Sequence, residues 1–153
     1  MAYAARLLII AGLAATCVGS VAYAADPAPN SAPDVAVNDR AAIQRVIEKQ
    51  FEAFRDDDGP TAMAQASPGI RSMFGNDPDN FMSMVRKGYQ PVYRPRSVTF
   101  GAVQSGGGGV TQRVDVIGPD GVPHTALYSM ERQPDGLWKI SGCTIVDAAA
   151  VGA

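Results

Sequence analysis

Histidine and cysteine are scarce in this chain of 153 residues, which contains one His and two Cys. Structural metal sites draw most of their ligands from these residues, and no suitably spaced pair of carboxylates replaces them. The sequence therefore predicts no metal site and no cofactor. Positive charge is scarce too, since 13 Lys and Arg against 15 Asp and Glu give a net charge of −2. Without a basic face, nucleic acid is not an expected partner.

Two catalytic signatures are also missing. The glycine run at 106–109 lacks both the Lys-Ser/Thr pair and the following helix start of a phosphate-binding loop. No Ser lies in the Gly-x-Ser-x-Gly pattern of a nucleophile elbow, so a Ser-His-Asp hydrolase is unsupported.

The N-terminus has the pattern of a secretory signal peptide. Arg6 supplies the positive charge, residues 7–15 form an apolar run, and Ala22-Tyr23-Ala24 is a cleavage site. We expect removal of residues 1–24, a periplasmic or secreted protein, and no stable membrane anchor after cleavage. Two alternatives remain. One is a lipoprotein modified at Cys17, although Thr16 is a poor residue to precede it. The other is an uncleaved anchor, although the uncharged run barely reaches the ~20 residues that span a bilayer.

Cleavage would leave Cys143 as the remaining cysteine, which excludes an internal disulfide even in an oxidising compartment. It lies in a strand pattern, which favours a small buried apolar residue. A reactive thiol is the alternative, although no basic residue is adjacent to activate it.

Residues 25–38 are rich in Pro, Ala and Asp and are predicted to be a disordered linker. A single domain is expected over 39–147, with a disordered tail at 148–153. The first helix has an apolar stripe at helical spacing, formed by Ile43, Val46, Ile47, Phe51 and Phe54. Three shorter helices are predicted to begin at Pro60, Pro68 and Pro78, because Asp or Ser residues that can cap a helix stand just before each proline. The last of these helices is expected to end near Gly88.

The acidic run at 56–58 invites comparison with a metal site. Consecutive residues point in different directions and a calcium loop needs acids at alternating positions, so we interpret the run as a solvated turn. The segment 88–96 is predicted to be extended and not helical, because Pro91 and Pro95 hold the preceding residues Gln90 and Arg94 in extended conformations.

The second half of the domain alternates apolar and polar residues in four runs, at 97–103, 110–116, 124–132 and 137–146. Glycine-rich turns separate these runs. Helices followed by such a meander predict an α+β fold, with N-terminal helices packed on a curved four-stranded antiparallel sheet in a cone-like arrangement.

Four ordered blocks, at 50–58, 66–70, 89–98 and 134–143, carry a family resemblance. Over roughly 41–147 the chain resembles a bacterial family catalogued as domain of unknown function 4864, which has no established activity. The order of its elements also looks like the cone fold of nuclear transport factor two and ketosteroid isomerase. That likeness implies a cavity between the first helix and the sheet.

The densest group of Tyr and Arg residues gives the candidate ligand-binding site. Arg94 and Arg96 flank a proline and are expected to project to the same side, where Tyr89 and Tyr93 would join them. Such a group binds an anionic small molecule or a carboxylate of a protein partner. Alternatively, the arginines neutralise the acidic helix ends or lie on the tyrosine rings. His124, the only His, is either a further site residue and general base or an edge residue facing water.

Two classes of function follow. The first is a non-catalytic exported module that binds a small ligand or a protein, and the sequence favours it over an enzyme. The second is a pocket enzyme of isomerase or dehydratase type, which needs a carboxylate base beside acidic donors. Tyr89, Tyr93 and Tyr128 are available as donors, but no carboxylate of the sequence matches such a base.

Overall fold

The computed structural model describes Val35 and residues 37–106 and 109–148. The helices are α1 (Val37–Asp56), α2 (Gly59–Ala64), α3 (Pro68–Met73), α4 (Pro78–Gly88) and α5 (Gln90–Tyr93); the strands are β1 (Ser97–Gly106), β2 (Gly109–Ile117), β3 (Pro123–Arg132) and β4 (Trp138–Asp147). The predicted signal peptide, most of the linker and the tail beyond Ala148 lie outside the described residues. Helices followed by an antiparallel sheet confirm the α+β prediction. No helix in the described ranges combines the length and apolar character needed to cross a membrane.

Side-chain caps start the short helices where the sequence predicts. Asp58 Oδ1 accepts a hydrogen bond from the Thr61 amide at 3.0 Å, and Asp77 Oδ1 accepts one from the Asp79 amide at 2.9 Å. Ser67 caps α3 in the same manner. Each cap satisfies a backbone donor that has no intrahelical partner, and a proline in the first turn lacks that donor altogether.

The sheet is an open meander in the order β1-β2-β3-β4 with every pair antiparallel. The register of strand pairing shifts at two places. In the β1–β2 pair the shift lies between Phe100 and Val103 of β1, and in the β3–β4 pair it lies between Ser129 and Met130 of β3. The buried Gln112 side chain supports the first irregularity, because its Nε2 donates to the Gly101 carbonyl at 3.0 Å. Such bulges bend strands and increase their twist, which curves the sheet.

The helices cover one face of this sheet. The apolar stripe of α1 packs against alternate residues of the strands as predicted; Val46 is partly buried and the other four residues of the stripe are fully buried. The core contains Ile43, Ile47, Phe51, Phe54, Val114, Ala126, Tyr128 and Met130. The Trp138 indole N–H donates to Asp39 Oδ1 at 3.1 Å, which ties the start of β4 to the first turn of α1.

One local prediction is wrong. Within the segment predicted to be extended, Gln90–Tyr93 form the single helical turn α5, which buries Val92. Pro91 lies in the first turn of that helix, where its missing N–H leaves no hydrogen bond unmade. The burial of Val92 therefore outweighs the preference of Gln90 for an extended conformation.

Candidate functional site

A cavity of about 320 Å³ lies between the helices and the β3–β4 side of the sheet. Its walls come from α1, α3, α4 and the paired strands, and most of them are apolar, including Phe54, Ile70, Phe74, Phe81, Val85 and Ile140. The likeness to the cone fold implied a cavity between the first helix and the sheet. The structure has a cavity at that position. The similarity to the fold of nuclear transport factor two and ketosteroid isomerase stays a prediction.

The methionines divide between the core and the cavity. Met63 and Met82 are buried in the core, whereas Met73 and Met84 line the cavity. Met73 is 76% exposed, which places it at the cavity mouth. Because thioether side chains are flexible, these two methionines allow the mouth of the cavity to change shape.

Polar side chains interrupt these apolar walls at six described positions, which are Gln50, Tyr89, Tyr128, Ser129, Cys143 and Thr144. Gln50 is 4% exposed, and its Nε2 donates to the Ala62 carbonyl at 3.3 Å. Tyr128 is 1% exposed, and within the described part of the chain its hydroxyl has no hydrogen-bond partner. Cys143 lies opposite Tyr128 in the β3–β4 ladder.

Burial keeps the cavity neutral. It raises the pKa of Tyr128 well above its ordinary value, to which the neighbouring Cys143 adds. Burial also raises the pKa of the Cys143 thiol to about 12. None of the described residues that line the cavity is Asp, Glu, Lys, Arg or His. Besides its apolar surface, the site therefore presents the Gln50 carboxamide, the hydroxyls of Tyr89, Ser129 and Thr144, and the Tyr128 phenol and Cys143 thiol, which are both un-ionised at neutral pH.

A separate cluster on the surface gathers around Asp57, which follows α1 with φ of 55°. Arg86 of α4 donates to Asp57 Oδ1 at 2.9 Å, and both Tyr93 and Arg94 hydrogen-bond to the same carboxylate. The Arg86 and Arg94 guanidinium carbons lie 5.7 and 5.1 Å from the centre of the Tyr93 ring. Arg94 thus both neutralises an acidic helix end and stacks on a tyrosine, as one of the two sequence interpretations held.

We expect loss of the Tyr93 hydroxyl to raise the pKa of Asp57. The hydrogen bond from Tyr93, followed by that from Arg86, holds this pKa below its ordinary value of 3.8. A depressed pKa means that the carboxylate stabilises the fold above its unfolded pKa and that this stability is lost as pH falls through the folded pKa. Titration of the carboxyl carbons by NMR in wild type and Tyr93→Phe measures the change.

Asp58 is the internal control in the same spectra, because its own lowered pKa comes from the Thr61 cap. It should titrate identically in both proteins. An Asp57 that titrates at its ordinary pKa in wild type contradicts the cluster.

The structure separates the five predicted site residues. It brings Tyr93 and Arg94 together at Asp57, whereas Tyr89 lines the cavity. Arg96 donates from Nε to the Pro119 carbonyl at 3.0 Å, so Arg94 and Arg96 do not converge. His124 begins the interior strand β3 with 16% of its side chain exposed and its Nδ1 3.8 Å from Asp147 Oδ1. The water-facing edge position expected for His124 is therefore wrong.

The acidic run behaves as a turn. Asp57 accepts from the cluster and Asp58 caps α2, so the two carboxylates point to different partners. Among the described residues, no three His, Cys, Asp or Glu side chains come together as metal ligands would.

These observations define a class: an α+β domain whose helices and curved antiparallel sheet enclose a neutral, mostly apolar cavity. The family model described as "Domain of unknown function (DUF4864)" matches residues 36–153, and the chain belongs to that family. The resemblance found in the four sequence blocks is thereby confirmed. No curated protein matches the chain.

Proposed function

We propose that this protein is an exported, non-catalytic module that binds a small, largely apolar molecule in the cavity between its helices and its sheet. The observation that carries the proposal is the cavity itself, whose volume of about 320 Å³ falls in the size range of small-molecule sites. Export rests on the signal-peptide pattern of residues 1–24 and predicts a periplasmic or secreted location.

The chemistry of the walls favours binding over catalysis. Isomerase or dehydratase chemistry needs a base within reach of the substrate, and the described lining residues include no His or carboxylate. Tyr89 and Tyr128 both place phenol donors in the cavity wall, and these donors support the pocket-enzyme alternative.

The surface cluster has weaker support as a binding site. Both arginines that contact Asp57 already have a carboxylate partner, so an anionic ligand or a protein carboxylate would have to displace Asp57. The cavity offers apolar walls without such a competitor.

A thermal-shift screen of small neutral molecules tests the proposal on protein purified after expression of the full chain. A ligand present at 100 times its Kd stabilises a protein by about 2.7 kcal/mol. For a domain of ~100 residues we expect Tm to rise by about 10 °C or more. Val85→Phe and Met84→Trp place larger side chains in the cavity wall and should abolish these shifts.

Two controls identify the site. Lys87→Phe makes a large substitution on the exposed side of α4 and should keep the shifts. Arg94→Ala/Arg96→Ala should keep them as well, since neither arginine lines the cavity. Hits that disappear in the double arginine variant but persist in Val85→Phe and Met84→Trp would move the binding site to the Tyr and Arg residues, and a screen without hits would overturn the proposal.

A further inference from the structure

The hydroxyl group of Tyr128 has no hydrogen-bond partner among the described residues that surround it. This hydroxyl is buried and belongs to a residue of the cavity wall. A buried hydroxyl without a partner costs about 1–3 kcal/mol. Most buried polar groups in proteins have a hydrogen-bond partner, so an exception in a residue of the cavity wall points to a partner that enters from outside the chain.

The neighbouring groups do not fill this role. The Cys143 thiol lies beside the Tyr128 hydroxyl and interacts with it closely enough to affect the pKa of both groups. Sulfur is only a weak hydrogen-bonding atom, so this contact does not satisfy the hydroxyl as an oxygen acceptor would. The Gln50 Nε2 is occupied by the Ala62 carbonyl. Phe51 meets the Tyr128 ring edge-on at a centroid distance of 5.9 Å, which holds the ring in place without engaging its oxygen.

The walls also limit the charge of an occupant. A buried ion needs an opposite charge or several hydrogen bonds to replace its hydration, and the described lining residues offer no charged side chain. An anion or cation would therefore lose affinity on entering the cavity, whereas a neutral molecule would not.

Resting on the function proposed above, we infer that the cavity selects a neutral, mostly apolar molecule with a hydrogen-bond acceptor oxygen at its buried end, and that the Tyr128 hydroxyl donates to that oxygen. The apolar part of the molecule lies against the phenylalanine and methionine side chains of α3 and α4. Tyr128 is thus the residue that distinguishes an oxygenated ligand from a hydrocarbon of the same shape.

Two matched probes test this inference by calorimetric titration of wild type. Acetophenone and α-methylstyrene have nearly the same shape and differ by a carbonyl oxygen in place of a CH₂ group. A neutral hydrogen bond contributes about 1–1.5 kcal/mol, so we expect acetophenone to bind roughly tenfold more tightly. Benzoate, which adds a negative charge to a similar ring, should bind more weakly than either.

The variant Tyr128→Phe removes the hydroxyl and keeps the ring. We expect it to lose the preference for acetophenone or to reverse it in favour of α-methylstyrene, because the acetophenone carbonyl would give up its hydration without gaining a donor. We also expect it to be at least as stable as wild type without ligand, because no buried hydroxyl is left unpaired. Tyr93→Phe makes the same chemical change at a residue that does not line the cavity, and it should keep the tenfold ratio. If Tyr128→Phe fails to fold, displacement of acetophenone by α-methylstyrene in wild type still measures the ratio.

The outcomes separate this inference from the proposed function. Equal affinity of the two probes in wild type, or a ratio that survives in Tyr128→Phe, overturns the role of Tyr128 but leaves an apolar binding cavity. Absence of binding by both probes, together with a library screen without hits, overturns the binding function and this inference with it.

Discussion

The substitution Phe51→Ala should lower the free energy of unfolding by about 3–5 kcal/mol, the range measured when a fully buried phenylalanine is truncated in other cores. Phe51 lies in the middle of α1 with 1% of its surface exposed. Its ring meets the Tyr128 ring of β3 at an interplanar angle of 66°. Truncation removes apolar area and the aromatic contact together, and it leaves a void where the helix docks on the sheet. Urea denaturation followed by circular dichroism gives the difference, provided that the slope of the transition is unchanged.

Glu52→Ala is the matched control, because it changes the adjacent residue on the exposed side of the same helix. Its effect should stay within about 0.5 kcal/mol. A loss below about 1 kcal/mol for Phe51→Ala would show that the α1 stripe is not the main contact between helix and sheet, and the cavity behind it would then have no fixed wall.

The stripe of α1 was predictable because its cause is local. Apolar residues at helical spacing specify a buried face whatever that face packs against, and the alternating runs of the second half specify strands in the same way. The caps at Asp58, Ser67 and Asp77 were predictable for the same reason, since each cap bonds within two or three residues.

The Asp57 cluster was not predictable. Its carboxylate lies 29 positions from Arg86 and 37 from Arg94, so their meeting depends on how α4 and α5 pack beside the end of α1. Tyr93 and Arg94 stand out in the sequence because Tyr and Arg residues are dense around them, whereas nothing in the sequence marks Asp57 and Arg86 as their partners. Arg86 occupies the last turn of α4, where a basic residue has an ordinary role beside the helix carboxyl end.

The sequence identifies Tyr128 and Cys143 separately, but it does not predict that they lie opposite each other in the β3–β4 pair. Met130 pairs with Ile140 while Ser129 pairs with Gly142, so β4 carries one extra residue at this point. In a regular ladder Tyr128 would face Gly142, and the bulge places Cys143 opposite it instead. Alternation of apolar residues does not reveal a one-residue bulge, because the strand resumes the same alternation on either side.

That alignment leads to the second large effect: Cys143 in the folded protein should react with iodoacetamide about 10³-fold more slowly at pH 8 than an unperturbed thiol. The thiolate is the reactive form, and an exposed cysteine with a pKa of about 8.5 is roughly one-quarter ionised at that pH. Cys143 is only partly exposed, and its burial beside Tyr128 raises its pKa to about 12, which leaves only about one thiol in 10⁴ ionised at pH 8. Mass spectrometry of the alkylated peptide over time gives the rate.

Two comparisons assign the slow reaction to the environment of the thiol. The same protein in urea should react at the rate of an unperturbed cysteine, because unfolding removes the burial that raises the pKa. The folded-state rate should rise about tenfold for each unit of pH above 8 and show no plateau near 8.5, since the thiolate fraction keeps growing until the pH reaches the folded pKa. A folded-state rate within about tenfold of the urea value would mean that water enters freely beside Cys143. The neighbouring Tyr128 hydroxyl would then be solvated as well, and the case for an oxygenated ligand that satisfies this hydroxyl would fail.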